Sequence, residues 1–457
     1  MNELGANLTV DQKDALNHMV DWVGKSITNN DDLFYVLTGF AGTGKTFLLK
    51  YFVQVSGIRN LVVTAPTHKA KKVISNSTDL PAKTIQSLLG LRPDVNMEFF
   101  DINRPVFNPL AEETIKEYRY VIIDESSMLN KDAFELITKR AIYYKIRIIF
   151  LGDSYQLPPI NEVISKVFVD IKNKSELTTI VRQEDTNPNI HILNLIRNDI
   201  RFNKSDALVH IYKNPSHIDD IGEGYLALTS NDFVKALVNQ FCKTESMYDS
   251  DYIKYIAYTN KSVAAACKGI RDKRIGQGSA ELVVKEDFLI GYNTVLKEAK
   301  DAFYVVVENS EDYTIESIED CVSDFGINCY GVKLIDSSNC SSFVYIVKKE
   351  SYETFLDIFR SKLNIAKERR GRYWEYYYKF KNEHLLLEDF YLPNGKLEVK
   401  KDLYYGYGIT VHKSQGSTYN NVAVNIKDVL RVRNIKERNK LLYVALSRTN
   451  KLNILNI

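Results

Sequence analysis

The residues Gly39-Phe40-Ala41-Gly42-Thr43-Gly44-Lys45-Thr46 constrain the fold of this chain more than any other stretch. Their spacing, G-x-x-x-x-G-K-[ST], belongs to a loop whose glycines let backbone N–H groups wrap a chain of phosphates. An apolar run at 33–37 precedes the loop, and Phe47-Leu48-Leu49-Lys50-Tyr51-Phe52 follows it, so the loop reads as a turn between a buried strand and a helix. A helix starting there adds the positive end of its dipole to the same anion site. Gly39, Ala41, Gly42, Thr43 and Gly44 form the cradle, Lys45 reaches β- and γ-phosphates, and the Thr46 hydroxyl is placed to hold Mg²⁺. ATP and Mg²⁺ are therefore expected. The plain alternative is a glycine-rich turn that binds nothing.

A second segment narrows the chemistry. Tyr120-Val121-Ile122-Ile123 is β-branched and ends in Asp124-Glu125. Such a run suits a parallel strand covered on both faces, and acids at its C-terminal end sit where open α/β sheets bind ligands. Asp124 is a candidate Mg²⁺ ligand, and Glu125 a candidate base or orienting group for an attacking water. A nucleoside kinase would instead position a substrate hydroxyl, so the acidic pair favours ATP hydrolysis. A solvated strand-end turn is the alternative reading.

With 457 residues the chain has room for two to four domains, and its 45% apolar content is ordinary for a globular protein. No stretch has the length of a membrane span and the start lacks a signal-peptide pattern, so a soluble intracellular protein is expected. Five cysteines, none in a C-x-x-C pair, predict free thiols without structural zinc. A net charge of +2 argues against a strongly basic coat, but a local basic groove remains compatible with it.

Strand patterns at 33–37, 60–65, 120–123 and 146–151 alternate with helical ones, which predicts a parallel α/β sheet. Thr9-Val10-Asp11-Gln12 fits a capping box at the first helix. Gln12 then either bonds back to Thr9 or reads an adenine edge, and the pattern leaves both open. The βα rhythm breaks at about 91–115, where turn residues flank Met97-Glu98-Phe99-Phe100-Asp101; this reads as a small inserted hairpin with an aromatic tip, or as a loop tucked into the core. A second α/β pattern opens near 183, with a strand at 252–258 and a helix at 260–274. From about 276 to 395 short β-type runs dominate, and the α/β character returns with a strand at 421–426 and a helix at 435–446. A β-rich domain inserted into a second α/β domain is expected.

Further polar residues sit at strand or helix ends. Gln156, in Gly152-Asp153-Ser154-Tyr155-Gln156-Leu157-Pro158-Pro159, can touch both a γ-phosphate and the attacking water. Arg182 and Arg448 are candidates for stabilising phosphoryl-transfer charge, although each taken alone reads more readily as a solvated surface residue. Thr67, His68, Lys69, His412 and Lys413 can donate to nucleic-acid phosphates. The segment 367–381 interleaves basic and aromatic residues as single-strand binders do, but Tyr373, Tyr377 and Phe380 share helical spacing and suit a packed stripe.

Gln12, the P-loop, Thr64-Ala65-Pro66-Thr67-His68-Lys69-Ala70, Asp124-Glu125, 152–159, Ile409-Thr410-Val411-His412-Lys413-Ser414-Gln415-Gly416-Ser417 and 443–448 occur in the order seen in superfamily-one helicases. The chain resembles their RecD-like, 5′-to-3′ branch, and within it the phage Dda-type helicases, over nearly its whole length and most weakly at 276–395. The resemblance implies two RecA-like parallel-sheet P-loop domains, the first at 1–182 with a pin hairpin at about 91–115. The second would be 183–275 plus 396–457, with an SH3-like β-rich insertion at 276–395. It implies that Gln12 and Gly416 contact the nucleotide, and that Lys45, Glu125, Gln156, Arg182 and Arg448 serve hydrolysis. Pro66, Thr67, His68, Lys69, Thr84, Gln86, Asn260, Thr410, His412, Lys413 and Ser414 would line a single-stranded DNA path, with Phe99 and Phe100 at the strand-separating pin. Where the family commonly has Thr-Ile-His-Ser this chain has Thr84-Ile85-Gln86-Ser87, and glutamine hydrogen-bonds but stacks poorly.

The resulting expectation is an ATP-dependent translocase on single-stranded DNA that unwinds forked duplexes in replication, recombination or repair. It would be a monomer, with a single-strand DNA-binding protein as a candidate partner, in the cytoplasm (of a bacterial host if phage-encoded). An ATP-gated single-strand binder that remodels protein–DNA complexes is the runner-up. A small-molecule kinase would leave the second α/β domain and Arg448 without a role.

Overall fold

Four buried apolar runs of the N-terminal part become neighbouring strands of one sheet. The structure is a computed structural model that describes residues 8–65, 71, 74–75, 78, 80–91, 112–159, 162–179, 188–299 and 302–457. It divides into two compact units: Met1–Ala227 with Ser414–Thr418 and Val429–Asn453, and Leu228–Lys413 with Tyr419–Asp428 and Ile454–Ile457.

In the first unit the six strands run in the order Ala82–Thr84, Leu61–Ala65, Tyr120–Ile123, Arg147–Gly152, Phe34–Gly39, Lys174–Leu177. All their pairings are parallel. Side chains alternate between two cores: Val36, Val62, Val121, Ile148 and Phe150 point one way, and Leu37, Val63, Ile122, Ile149 and Leu151 the other. A sheet covered on both faces needs apolar residues at every position, which is why these strands read as continuous runs. The two outermost strands, Ala82–Thr84 and Lys174–Leu177, are short and lack that signature.

The first helix, Val10–Gly24, has the expected capping box, with the Thr9 side chain and the Gln12 side chain bonded to each other's backbone. Its C-terminal carbonyls are held by Arg147, whose Nη1 donates to the Trp22 carbonyl at 2.9 Å while the guanidinium lies 5.1 Å from the Trp22 ring. Helix Pro188–Phe202 packs with the closing helix Ile435–Leu446. Asn453 Nδ2 donates to Asn189 Oδ1 at 2.9 Å, and Asn439 Nδ2 donates to the Lys204 carbonyl at 2.7 Å. Compactness thus groups 183–227 and 429–453 with the P-loop residues. The RecA-like boundaries at 182 and 275 are a reading of motif order.

In the second unit the parallel strands Gly408–Thr410, Ile253–Ala257 and Tyr419–Asn425 adjoin in that order, followed in sequence from the middle one by helix Asn260–Ile275. The β-rich insertion is present. Its six-stranded sheet runs His384–Leu385, Ser341–Val347, Asn328–Asp336, Asp312–Val322, Phe288–Gly291, Leu403–Tyr405. It therefore recruits residues beyond 395. The sheet is open, where the SH3-like expectation implies a closed barrel. Closure is not needed, because both faces are already covered. Val332, Leu334, Val344 and Ile346 pack with the hairpin residues Val295, Val306 and Val307. Cys329 and Val347 face the helices Tyr352–Arg369 and Tyr373–Glu383 through Phe355, Phe359, Tyr377 and Phe380. The basic–aromatic segment 367–381 is the end of the first helix, the turn and most of the second helix of this layer. Tyr377 and Phe380 are buried in it, as helical spacing dictates, and the pin candidate at 91–115 lies almost wholly outside the described residues.

Candidate active site

The P-loop joins strand Phe34–Gly39 to helix Lys45–Ser56, and Gly44 caps that helix in the left-handed region at φ 76°. A Cβ at Gly44 would lie 2.7 Å from Gln12 Nε2, so both the conformation and the close approach require glycine. Gln12 is buried, and its Nε2 donates to the Thr43 carbonyl at 2.9 Å while its Oε1 accepts from the Thr9 N–H at 3.1 Å. The carboxamide thus ties the loop to the helix start, which is the structural half of the two readings left open above. Asp11 beside it accepts from the Thr178 and Thr179 amides at 2.7 and 2.8 Å. Lys45 Nζ donates to the carbonyls of Gly39 at 2.7 Å and Phe40 at 3.0 Å. An ammonium folded onto its own loop is held where an incoming phosphate can draw it away. Ala41, Gly42 and Thr46 are half-buried around it.

Asp124 and Glu125 follow strand Tyr120–Ile123 in the same sheet. Burial and the neighbouring Glu125 carboxylate push the Asp124 carboxyl up to about 7, against the Glu125 N–H bond and the Lys45 charge. Glu125 adopts φ 48°, ψ 39°, uncommon for a residue with a side chain. Its carboxylate makes no hydrogen bond or ion pair among the described residues, so it is available to a water. Two crowded carboxylates that feel the charge of Lys45, with the Thr46 hydroxyl next to Lys45 in sequence, offer hard oxygens of the kind that fit Mg²⁺.

The turn after strand Arg147–Gly152 adds a residue that motif order alone did not single out. Asp153 is buried, and its Oδ1 accepts from the Tyr155 N–H at 2.9 Å. Its Oδ2 accepts from the Tyr443 hydroxyl at 2.7 Å, and that hydroxyl accepts from the Ala41 N–H at 3.3 Å. Burial first, then the Asp153 charge, raises the Tyr443 phenol far above its ordinary value, so it stays protonated. Gln156 is buried, and its Oε1 has no hydrogen-bond partner among the described residues.

Arg448 lies just past the closing helix, which ends at Leu446. Its guanidinium donates to the carbonyls of Val444 at 3.0 Å, Ser417 at 3.2 Å and Ser414 at 3.5 Å. Gly416, at φ 72°, shapes the loop that supplies the Ser414 and Ser417 carbonyls, and Gln415 Nε2 donates to the Leu157 carbonyl at 3.3 Å. Arg182 lies outside the described residues.

Of the nucleic-acid candidates, Pro66, Thr67, His68, Lys69, Phe99 and Phe100 also lie outside the described residues. The Thr84 hydroxyl accepts from the Ser87 N–H at 3.2 Å as a helix cap, and Gln86 is buried. In the second unit, Asn260 is exposed as the first residue of its helix. Its N-cap Thr259 donates its backbone N–H to Asp428 at 2.7 Å. Thr410 Oγ1 accepts from the Lys413 N–H at 3.4 Å. Lys413 Nζ donates to the Gly291 carbonyl at 3.0 Å and Asn309 Oδ1 at 2.9 Å, and lies 3.9 Å from the Tyr292 ring centroid. The ammonium is thus engaged by the β-rich insertion. Burial lowers the His412 pKa, so that ring is neutral at pH 7 and offers one N–H, not a cation; its centroid is 6.3 Å from that of Tyr258. Ser414 is buried.

An AAA-domain model matches residues 8–222, and a UvrD-like helicase C-terminal domain model matches 405–455. A protein of uncharacterised function from Acanthamoeba polyphaga mimivirus is 25% identical over 96% of this chain and 98% of its own. The ATP-dependent DNA helicase dda of Enterobacteria phage T4 is 28% identical over 64% of this chain and 61% of its own. The solved structure of Pif1 helicase from Bacteroides in complex with ADP-AlF3 and ssDNA superposes with a TM-score of 0.50 at 18% identity, covering 98% of this chain and 92% of that one. A helicase fold, a P-loop with strand-end acids, an AAA-domain match in the first half and a UvrD-like helicase match near the C-terminal end agree: the chain has homology to the superfamily-one helicases.

Proposed function

We propose that the chain is an ATP-driven motor that advances 5′-to-3′ along single-stranded DNA and separates the strands of a duplex ahead of it, in replication, recombination or repair. The observation that carries this reading is one constellation: the Lys45 loop and Asp124-Glu125 at strand ends of one parallel sheet, with Tyr443 of the closing helix bonded to the loop. A likeness to a DNA helicase of phage T4, and to a Pif1 structure with ssDNA, supports DNA as the track.

In this reading the P-loop amides and Lys45 bind the β- and γ-phosphates. Glu125 takes a proton from the attacking water, and Gln156 fixes that water through its unpaired carbonyl oxygen. Arg448 and Arg182 balance the charge on the terminal phosphate, Arg448 by exchanging backbone carbonyls for phosphate oxygens. Mg²⁺, held by Thr46 and Asp124, supplies charge neutralisation when bound. Phe99 or Phe100 is assigned the wedge, and residues 66–69, Thr84, Gln86, Asn260, Thr410, His412, Lys413 and Ser414 the strand contacts. Opening a base pair costs about 1.4 kcal/mol in stacking, well within what one hydrolysis step delivers.

Strand displacement on tailed duplexes is the test. A 5′-tailed duplex should be unwound with ATP and a 3′-tailed one should not. Hydrolysis stimulated by DNA without strand release from either substrate would instead support an ATP-gated remodeller of protein–DNA complexes.

A further inference from the structure

Lys45 shows which end of the loop faces the terminal phosphate. A lysine at this position serves the β- and γ-phosphates, and its ammonium rests on the carbonyls of Gly39 and Phe40. Residues 39–41 therefore mark the γ end. Two side chains from outside the loop converge there. Tyr443 bonds the Ala41 N–H, as described. The second is Arg197, on helix Pro188–Phe202, whose guanidinium carbon lies 4.0 Å from the centroid of the Phe40 ring. Tyr155 meets the same ring edge-on at 5.2 Å.

Arg197 is only 6% exposed. Its Nη1 is buried without a hydrogen-bond partner, and the guanidinium makes no ion pair among the described residues. Stacking on an aromatic ring satisfies the face of a guanidinium but none of its N–H donors. A buried cationic donor without an acceptor is costly, and native structures retain one where a ligand completes it. Its charge is also felt by the Tyr443 and Tyr155 hydroxyls, which places it among the groups around the loop. The fitting ligand is an anion with several acceptor oxygens, which a planar fork binds in more than one way.

We infer that Arg197 contacts the terminal phosphate of bound ATP, as a further arginine beside those the sequence motifs supply, and that its stack on Phe40 holds the fork at the γ end of the loop. This rests on the ATP-site reading above. Because ADP lacks that phosphate, Arg197 acts as a discriminator between the two nucleotides.

The experiment measures binding of fluorescent mant-AMPPNP and mant-ADP to the full chain. Arg197→Gln should weaken mant-AMPPNP by about tenfold or more, the value of a charge-assisted bidentate contact, and mant-ADP by less than about threefold. Arg197→Lys, which keeps the charge and loses the fork, should show the same split in smaller measure; it decides the matter if the glutamine variant does not fold. Phe40→Leu should show a weaker split than Arg197→Gln. Parallel losses for both nucleotides in the arginine variants, or none for either, overturn the inference. Lys45→Ala run alongside separates the two claims. If that variant binds mant-AMPPNP like the parent, the ATP-site reading fails. If it loses binding while Arg197→Gln treats both nucleotides alike, only the role of Arg197 fails.

Discussion

Glu125 is a single residue held in an uncommon backbone conformation at a candidate site. Its φ of 48° turns the chain sharply at the end of a buried strand, and the carboxylate has no hydrogen-bond or ion-pair partner among the described residues. Such backbone states persist where the surroundings enforce them, and Ser126 does part of this by donating its hydroxyl to the Leu151 carbonyl at 2.7 Å. Glu125→Gln removes the base and keeps the shape. Steady-state kinetics should show kcat falling by about 10²–10⁴-fold with nucleotide affinity retained. Asp11 makes a different prediction. Burial would raise its pKa, but bonds from Thr9 and the Thr179 and Thr178 amides outweigh it, and the net shift is downward. A folded carboxyl more acidic than the unfolded one stabilises the fold above about pH 4, and that contribution fades as pH falls through the lower folded value. Asp11→Asn should therefore cost about 1 kcal/mol at pH 7, and the difference from the parent should shrink in acid unfolding as pH falls below about 4. The P-loop and Asp124-Glu125 were legible because their chemistry is written in adjacent residues. Tyr443, Asp153 and Arg197 were not identified, because their contacts join positions as far apart as 402 residues in sequence.

At the scale of elements, legibility followed burial geometry. Strands covered on two faces appear in sequence as apolar runs, and all four in the first sheet stood out. Edge strands of three and four residues, Ala82–Thr84 and Lys174–Leu177, carry too little pattern to be seen. The segment 367–381 held both basic and aromatic signals, and packing settled the aromatic one. Phe355 stacks on Phe380 with centroids 5.4 Å apart, which commits that face to the insertion's core. The closing helix has the opposite character. Nearly every residue from Asn439 to Leu446 is buried, and one hydroxyl on it links two loops of the site. Tyr443→Phe keeps the ring and removes that link, leaving the buried Asp153 oxygen and the Ala41 amide without their bridge. Thermal unfolding should report a loss of about 1–3 kcal/mol in the unit that holds the P-loop.

For the molecule as a whole, the question is whether nucleotide chemistry and nucleic-acid binding can be separated. The proposed nucleotide residues of the described part lie in the first unit, while Asn260, Thr410, His412 and Lys413 lie in the second. Lys45→Ala should abolish ATP hydrolysis and leave single-strand affinity within about twofold of the parent, since DNA affinity rests on phosphate contacts that do not include it. A matched fall in both, measured by ATPase rate and fluorescence anisotropy, would place Lys45 in the core instead. The path of the chain has one more consequence. The loop at 39–46 leaves the ribosome well before Tyr443, which lies 402 positions beyond Ala41. A nascent polypeptide therefore carries its phosphate cradle without the bracing hydroxyl until those 402 positions have been made.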